Sequence, residues 1–353
     1  MRLAALAALL VAATLAVHGG IERYQPAGSA MIENPAFDPG PGGEPERWEL
    51  RPGSGEVVAE DGVLRLHNGA APGTVTVRQV VPLRQGVTAL RVEAVVAAEE
   101  VRPEKVPLAG AAVYVVGRDP DGALAFGSHY DLVRLTGSRT PRRYADVFEV
   151  APQAVEAVLF IELFAASGGL TVSDLRVTGL RDAPFFTLAR WLLAGAWLAG
   201  GVAALAVLRR RLGSGAAVAV GTVAAAGAAL LLLPWELRGV VLGAAQTWLG
   251  LEAVGTETIA NAGHVVIFLA LGLVARLVLA QAPWFRLVLG LVGLAVLGEV
   301  MQLLTDGRSA QAGDVLLNSL GGLAGLLAAG LLRAAGRRLR GRPGTDGLAG
   351  EER

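Results

Sequence analysis

Hydrophobic positions follow three different rhythms along this chain. Leu3 to Val17 is one continuous apolar run, directly after Met1 and Arg2. It is shorter than the roughly 20 residues of a full span and has the size of a secretory h-region. No A-x-A cleavage pattern precedes His18-Gly19-Gly20, so residues 1–18 read as a signal anchor in preference to a removed signal peptide. Either way the basic end stays inside and the chain beyond residue 18 is exported. Between residues 19 and 185 short β-rich runs alternate with turn signals, an all-β pattern. The spacing predicts strands at Val63–His67, Thr74–Val81, Thr88–Val96, Ala111–Val116, Val155–Leu163 and Leu170–Val177, with a turn at Asp119-Pro120-Asp121-Gly122. In Ala89–Val96 the apolar side chains at 90, 92, 94 and 96 share one face, as a sandwich with a solvated exterior requires.

From Phe185 the alternation gives way to long apolar stretches. Spans are predicted at about 186–208, 214–233, 264–281, 287–305 and 315–332. The Arg209-Arg210-Arg211 cluster directs the first of these from outside to inside. The stretch 239–255 fits either a short span or a helix lying on the membrane. As a span it would place Arg286, Arg333, Arg337, Arg338, Arg340 and Arg342 outside; as an outer interfacial helix it keeps them all inside, so the second reading is taken. The predicted architecture is an all-β sandwich ectodomain, residues 30–180, followed by an all-α polytopic membrane domain, residues 186–335. Residues 336–353 form a basic, flexible cytoplasmic tail. Residues 19–185 would be extracytoplasmic and the C-terminus cytoplasmic.

Composition agrees with this division. Of 353 residues 53% are hydrophobic and only 18% charged, too apolar for an ordinary soluble protein. The net charge of zero conceals a segregation: residues 19–185 hold 22 acids and 16 bases, the remainder 9 acids and 15 bases. An acidic exported half argues against a nucleic-acid partner. With no Cys there are no disulfides, thiolate metal sites or Cys nucleophiles. Lys105 is the only lysine beside 30 Arg, a bias that, with abundant Ala and Gly, is associated with GC-rich bacterial genomes.

Polar side chains inside spans are costly, about 2.5–3.5 kcal/mol for a central charge, so their positions carry information. His264 is expected to open one span; Glu299 and Gln302 close the next; Asp306 and Arg308 lie in the loop; Asp314 and Asn318 enter the last. Glu299 and Gln302 are i, i+3, and Asp314 and Asn318 are i, i+4, so each pair shares a helix face. At ~1.5 Å per residue both pairs reach comparable depths, roughly 6–9 Å below the outer ends, which predicts one cluster in the outer leaflet. Glu299, buried, needs a partner, and Arg308 is the expected one. Gly321, Gly322 and Gly325 make a small-residue face for close helix packing. Arg276 should snorkel to the cytoplasmic interface, while Trp235, Trp248 and Trp284 read as interfacial belt residues. Asp119 and Asp121 fit a hairpin turn better than a calcium loop. His67 and His129 read as surface or core residues of the sandwich, since neither has a second ligand at metal spacing; no metal site and no cofactor are implied.

The polar positions resemble a known pattern. Asn261-Ala262-Gly263-His264, Glu299-Val300-Met301-Gln302, Gly307-Arg308-Ser309 and Asp314 to Asn318 followed by Gly321 look like the VanZ-like integral membrane family, over roughly residues 214–332. That family shows a His opening one helix, E-x-x-Q closing the next, a G-R loop, and D-x-x-x-N followed by glycines. Asn261 departs from it, standing where a Lys often precedes the His, which leaves Arg308 to supply positive charge alone. The resemblance implies a link to resistance against the glycopeptide teicoplanin. The β region resembles jelly-roll carbohydrate-binding modules of the galactose-binding-like type, through Glu33-Asn34-Pro35-Ala36-Phe37, Trp48, Asp61–Leu66, Val77–Leu83 and Leu170–Val177. Its candidate glycan platforms are Trp48, Tyr114, Tyr130 and Tyr144.

These features suit three functions. In the first, His264, Glu299, Gln302, Arg308, Asp314 and Asn318 bind a lipid head group or cell-wall precursor at the bacterial cytoplasmic membrane. In the second, the same cluster is a hydrolase or transferase for a lipid-linked envelope substrate, with His264 or Glu299 as general base. In the third, the membrane part anchors a carbohydrate-binding module. The partners expected are membrane lipid and a cell-wall precursor or glycan.

Overall fold

The computed structural model describes residues 2–51, 53, 55–69, 73–151, 153–212, 221, 244, 247–248, 256–304 and 311–340. Two compact units emerge: Glu22–Thr187, and a helical unit formed by Met1–Ile21 together with Leu188–Arg353.

The first unit is built of antiparallel strands. One sheet runs in the order β3 (Glu56–Glu60), β4 (Val63–Asn68), β11 (Ala166–Asp182), β6 (Ala89–Pro103), β9 (Gly137–Glu149), with β1 (Tyr24–Ala30) also on β11. The other runs β2 (Glu49–Arg51), β5 (Val75–Pro82), β10 (Glu156–Phe164), β7 (Gly110–Arg118), β8 (Leu124–Leu135). Their inner faces close on one core, in which Leu64, Leu66, Val92, Val96 and Val172 of the first sheet join Val77, Val113, Leu159, Ile161 and Leu163 of the second. This is the predicted all-β sandwich, held by the period-2 alternation that puts every other side chain inside. Leu90, Val92, Ala94 and Val96 are all buried, on the face assigned to them.

Each of the six predicted strands is present, most of them longer than predicted. Of the five strands that were not predicted, three have weaker signals: β9 is polar and largely exposed, β2 is three residues long, and β1 carries Pro26, which confines it to an edge. Because β1 begins at Tyr24 and β11 ends at Asp182, the sandwich reaches beyond 30–180 at both ends. The turn between β7 and β8 is as predicted: the Gly122 N–H donates to Asp119 O at 3.0 Å, and Asp119 Oδ1 accepts the Asp121 and Ala123 N–H groups at 3.0 and 2.9 Å. That carboxylate oxygen therefore serves the turn's own amides.

The helical unit contains α1 (Arg2–Gly20), α2 (Pro184–Leu212), α3 (Thr256–Val278), α4 (Trp284–Gln302) and α5 (Ala312–Arg340) among the described residues. Among the described residues three stretches are long and apolar enough to cross a membrane, Pro184–Val207, Trp284–Gln302 and Ala312–Ala335; Ala5–Gly20 and Ala262–Val278 are shorter apolar helices. Apart from Gly221, the span predicted at 214–233 lies outside the described residues, as does almost all of the interfacial helix predicted at 239–255. Of that helix Trp248 is described, helical and exposed.

His264 lies near the start of the apolar stretch Ala262–Val278, within a helix that begins eight residues earlier at Thr256; the polar and small residues Thr256–Gly263 belong to the helix without a hydropathy signal. Helix α5 runs to Arg340, so the tail predicted from 336 starts out helical; residues 341–353 lie outside the described part.

Helices α3 and α5 run parallel, and α4 runs antiparallel to both. The approach of α3 to α5 is closer than side chains permit. A Cβ on Gly321 would lie 2.5 Å from Val265 O, one on Gly325 would collide with Leu269 O, and one on Gly272 with Gly322 O. The small-residue face of α5 thus meets α3 backbone to backbone, and Gly272 on α3 answers it. On α4, Leu287 and Leu291 pack with Leu326, while Ala295 packs with Phe268 and Val315. Helix α1 packs against α2 and α4 through Leu10, Trp197 and Val300, and Trp197 Nε1 donates to the buried Thr14 Oγ1 at 3.1 Å.

Replacing Gly325 by Leu should cost more than the about 1–3 kcal/mol of ordinary overpacking, because backbone rather than a side chain is in the way. Gly293→Leu on α4, where a Cβ meets nothing within 4 Å, is the control. Thermal unfolding of the detergent-solubilised protein should show a large loss for the first and almost none for the second.

Candidate functional site

Three apolar helices bring five polar side chains into one region. From α3 comes His264, 6% exposed; from α4, Glu299 and Gln302, 3% and 1% exposed; from α5, Asp314, half-buried, and Asn318, 0% exposed. The helical repeat explains each pair, since i, i+3 and i, i+4 positions lie on one face. The glycine contact explains why the pairs meet, because Gly321, one turn beyond Asn318, draws α5 onto α3 at Val265. One ligand atom from each of His264, Glu299 and Asp314 falls within 4.8 Å of the other two.

Glu299 Oε2 accepts the N–H of Gln311 at 3.0 Å, just before α5 begins. A carboxylate there meets the positive end of the helix dipole and an N–H that the helix leaves unused. The sequence points to Arg308 as Glu299's partner; Asp306 and Arg308 lie outside the described residues, and the Gln311 backbone contact has no sequence signal. Neither Nδ2 nor Oδ1 of Asn318 has a hydrogen-bond partner among the described residues. Buried amides are nearly always satisfied, which sets this fully buried Asn, unpartnered among the described residues, apart from ordinary interhelical contacts. The sequence offers no metal-ligand spacing at His264, Glu299 and Asp314 because the three residues come from separate helices; the fold assembles a set that linear spacing cannot display.

At the far end of α3, Arg276 does not simply snorkel. Its Nη1 donates to Ala280 O and Ala282 O at 3.1 and 3.2 Å, and its guanidinium lies 5.1 Å from the Trp284 ring. Arg333 Nη2 donates to Leu277 O at 2.6 Å, so two cations cap the negative end of the helix.

The sandwich separates its four candidate aromatics. Trp48 is 7% exposed, packs 5.2 Å from Phe37 and donates Nε1–H to Asn34 O at 3.1 Å; it is core and not a platform. Tyr130 and Tyr144 are half-buried against the same core, with Tyr130 stacked 5.5 Å from Phe148. Burial, with a smaller contribution from Glu149, raises the Tyr130 hydroxyl to about 12. Tyr114 faces outward on the five-stranded sheet. Its ring stacks on His129 at 4.9 Å and on Phe160 at 4.8 Å, and its hydroxyl donates to Glu162 Oε2 at 2.8 Å. Arg134 makes two 2.9 Å hydrogen bonds to Asp131, which also contacts His129 at 3.2 Å. Burial would lift the Asp131 carboxyl, but Arg134 and His129 outweigh it and hold the group below its ordinary value. Phe160 and Glu162 were not singled out in the sequence, although the parity of β10, with Leu159, Ile161 and Leu163 inward, puts both on the outer face.

Residues 217–333, about a third of the chain, match the family model VanZ/LLP1. The C-terminal region is therefore VanZ-like, and with its apolar helices the chain is a membrane protein. No curated protein matches the chain. Similar solved structures include the enzymatically active domain of tailspike protein 4 from bacteriophage CBA120, at 14% identity over 43% of this chain and 21% of that one, TM-score 0.33. The chain thus spans about a fifth of the tailspike. A CBM4 structure is 17% identical over 42% of this chain and 99% of its own, TM-score 0.31. The CBM22-1 xylan-binding domain of Paenibacillus barcinonensis Xyn10C is 12% identical over 45% and 99%, TM-score 0.30.

Tyr130 supplies a test of its core placement. A tyrosine raised in the folded state stabilises the fold fully below the unfolded value near 10, and that stability is lost as pH rises toward the folded value. Alkaline unfolding followed from pH 9 to 12 should be shallower in Tyr130→Phe than in wild type. Trp48→Ala should lower stability by about 3–5 kcal/mol, the range for emptying an aromatic core site.

Proposed function

We propose that this is a multi-pass protein of the bacterial cytoplasmic membrane whose three-helix polar cluster binds the anionic head group of an envelope lipid or cell-wall precursor, and so alters susceptibility to glycopeptides such as teicoplanin. The observation that carries this reading is the burial of His264, Glu299, Gln302 and Asn318 within apolar helices, together with the Asn318 amide, which has no hydrogen-bond partner among the described residues. Polar groups in such surroundings cost free energy unless a ligand or partner compensates them. In this reading Arg308 contacts phosphate or carboxylate, His264 and Asn318 hydrogen-bond to the head group, and Glu299 orients Arg308. Arg308 lies three residues before Gln311, so at most ~10 Å of extended chain separates it from the amide that holds Glu299.

The reading places residues 19–185 outside and the C-terminus inside. Its support is the run of arginines at one end of the spans, Arg209–Arg211, Arg286 and Arg333 onward. The antiparallel course of α4 between the parallel α3 and α5 fits the same topology. The buried Thr14–Trp197 hydrogen bond supports retention of α1 as an anchor, since its removal would leave the Trp197 indole without that acceptor.

A second activity is favoured by the outward stack of Tyr114, Phe160 and His129 beside Glu162, Asp131 and Arg134. Flat aromatic faces flanked by charged hydrogen-bonding groups suit a pyranose ring, so the ectodomain is proposed to hold a glycan there.

In a bacterial host, Glu299→Gln and Arg308→Ala should each weaken anionic-lipid retention by the purified protein. Losing one charge-assisted hydrogen bond costs about 1.5–3 kcal/mol, roughly tenfold to a hundredfold. Native mass spectrometry reads retention, and teicoplanin inhibitory concentrations read the cellular effect; both unchanged, with the variants accumulating normally, would end the head-group reading. For the ectodomain, Tyr114→Ala should reduce glycan-array binding by the full-length protein at least fivefold, while Tyr144→Ala leaves it intact.

A further inference from the structure

The polar cluster gathers two carboxylates and an imidazole among apolar helices. Glu299 is buried and Asp314 half-buried, and their carboxylates come within 4.8 Å of each other and of the His264 imidazole. Two like charges at that spacing in an apolar bundle oppose each other, and desolvation adds several kcal/mol per ion unless something compensates. A divalent cation cancels the formal charge of two carboxylates and a neutral imidazole in one step.

We propose that His264, Glu299 and Asp314 form a binding site for a divalent transition metal of the zinc class. The donor set selects the ion. All-oxygen cages suit magnesium and calcium, whereas one imidazole with two carboxylates suits zinc, manganese or iron. The spacing fits as well. Ligand atoms at ~2.0–2.2 Å from a tetrahedral zinc stand roughly 3.4 Å apart, so atoms now within 4.8 Å need move inward by less than about 1 Å each. Small rotamer adjustments supply that movement without shifting the helices, whose spacing Gly272, Gly321 and Gly325 set.

The surroundings have the form of a metal site. The Gln311 N–H fixes one Glu299 oxygen at 3.0 Å, the kind of outer hydrogen bond that orients a ligating carboxylate. Asn318, one turn deeper than Asp314 on the same face of α5, is fully buried with both amide atoms unpartnered among the described residues. Its Oδ1 supplies a further oxygen donor, or its Nδ2 a hydrogen bond to a ligand of the metal. Three protein ligands leave a coordination position for an anionic oxygen. The metal is thus compatible with the head-group reading and does not depend on it.

The test uses the full-length protein in detergent micelles, stripped with chelator and titrated with Zn2+ by calorimetry, with elemental analysis for stoichiometry. One zinc per chain is expected, with affinity lowered at least about tenfold in His264→Ala and in Asp314→Asn. Because Asp314 is half-buried and Asn nearly isosteric, the second variant should keep the fold, which thermal unfolding checks. His67→Ala, which removes an exposed histidine of the sandwich, should leave the stoichiometry unchanged. Zinc binding absent in wild type, equal in wild type and both cluster variants, or abolished by His67→Ala would overturn the proposal. Lipid retention without zinc binding would remove the metal and leave the head-group reading standing; zinc binding without lipid retention would do the reverse.

Discussion

Everything in the helical unit depends on how closely α3 and α5 approach. Lipid chains are as apolar as leucine, so two helices in a membrane gain little from hiding hydrophobic side chains and must gain from packing and polar contacts instead. Gly272, Gly321 and Gly325 remove the side chains that would keep the backbones apart. Contact at backbone distance fixes both the separation and the axial register of the two helices, and in that register the His264 side chain comes within reach of Asp314. A residue larger than glycine at these positions would both weaken the pair and move the polar groups out of reach.

The second constraint is electrostatic. Interhelical polar contacts in membranes average only about 0.6 kcal/mol, because the separated helices also find partners. A structural explanation of the cluster therefore has to regard His264, Glu299, Gln302, Asp314 and Asn318 as small increments of adhesion. Adhesion alone does not explain an amide buried without a mate among the described residues, nor two carboxylates drawn together. In the sandwich, Glu162 accepts both Tyr114 Oη and Thr76 Oγ1 at 2.8 Å, and Arg23 bonds Glu149 at 2.6 Å.

Much of this was legible in the sequence. Period-2 alternation located the core strands, because one face of each is dry, and the i, i+3 and i, i+4 spacings identified which polar residues share a helix face. Strands without a dry face were less visible, as β9 illustrates with its exposed arginines. The start of α3 gave no hydropathy signal because Thr256–Gly263 is neither apolar nor helix-breaking. Exposure of the aromatics could not be read either: Trp48 and Tyr114 are both large and amphipathic, and only strand parity and the partner sheet decide that one faces the core and the other solvent. The meeting of His264 with Glu299 and Asp314 required the helix order and the glycine register, neither of which is a property of any local segment.

Exposure falls along one face at the start of α5: Gln311, just before the helix, is exposed, Asp314 half-buried and Asn318 wholly enclosed. The opposite end of α3 is tied down by Arg276 and Arg333. A side chain put in place of Asp314 therefore meets surroundings with room to yield, whereas one put in place of Asn318 must match the shape of an enclosed position, so tolerance of change falls with each turn into the bundle.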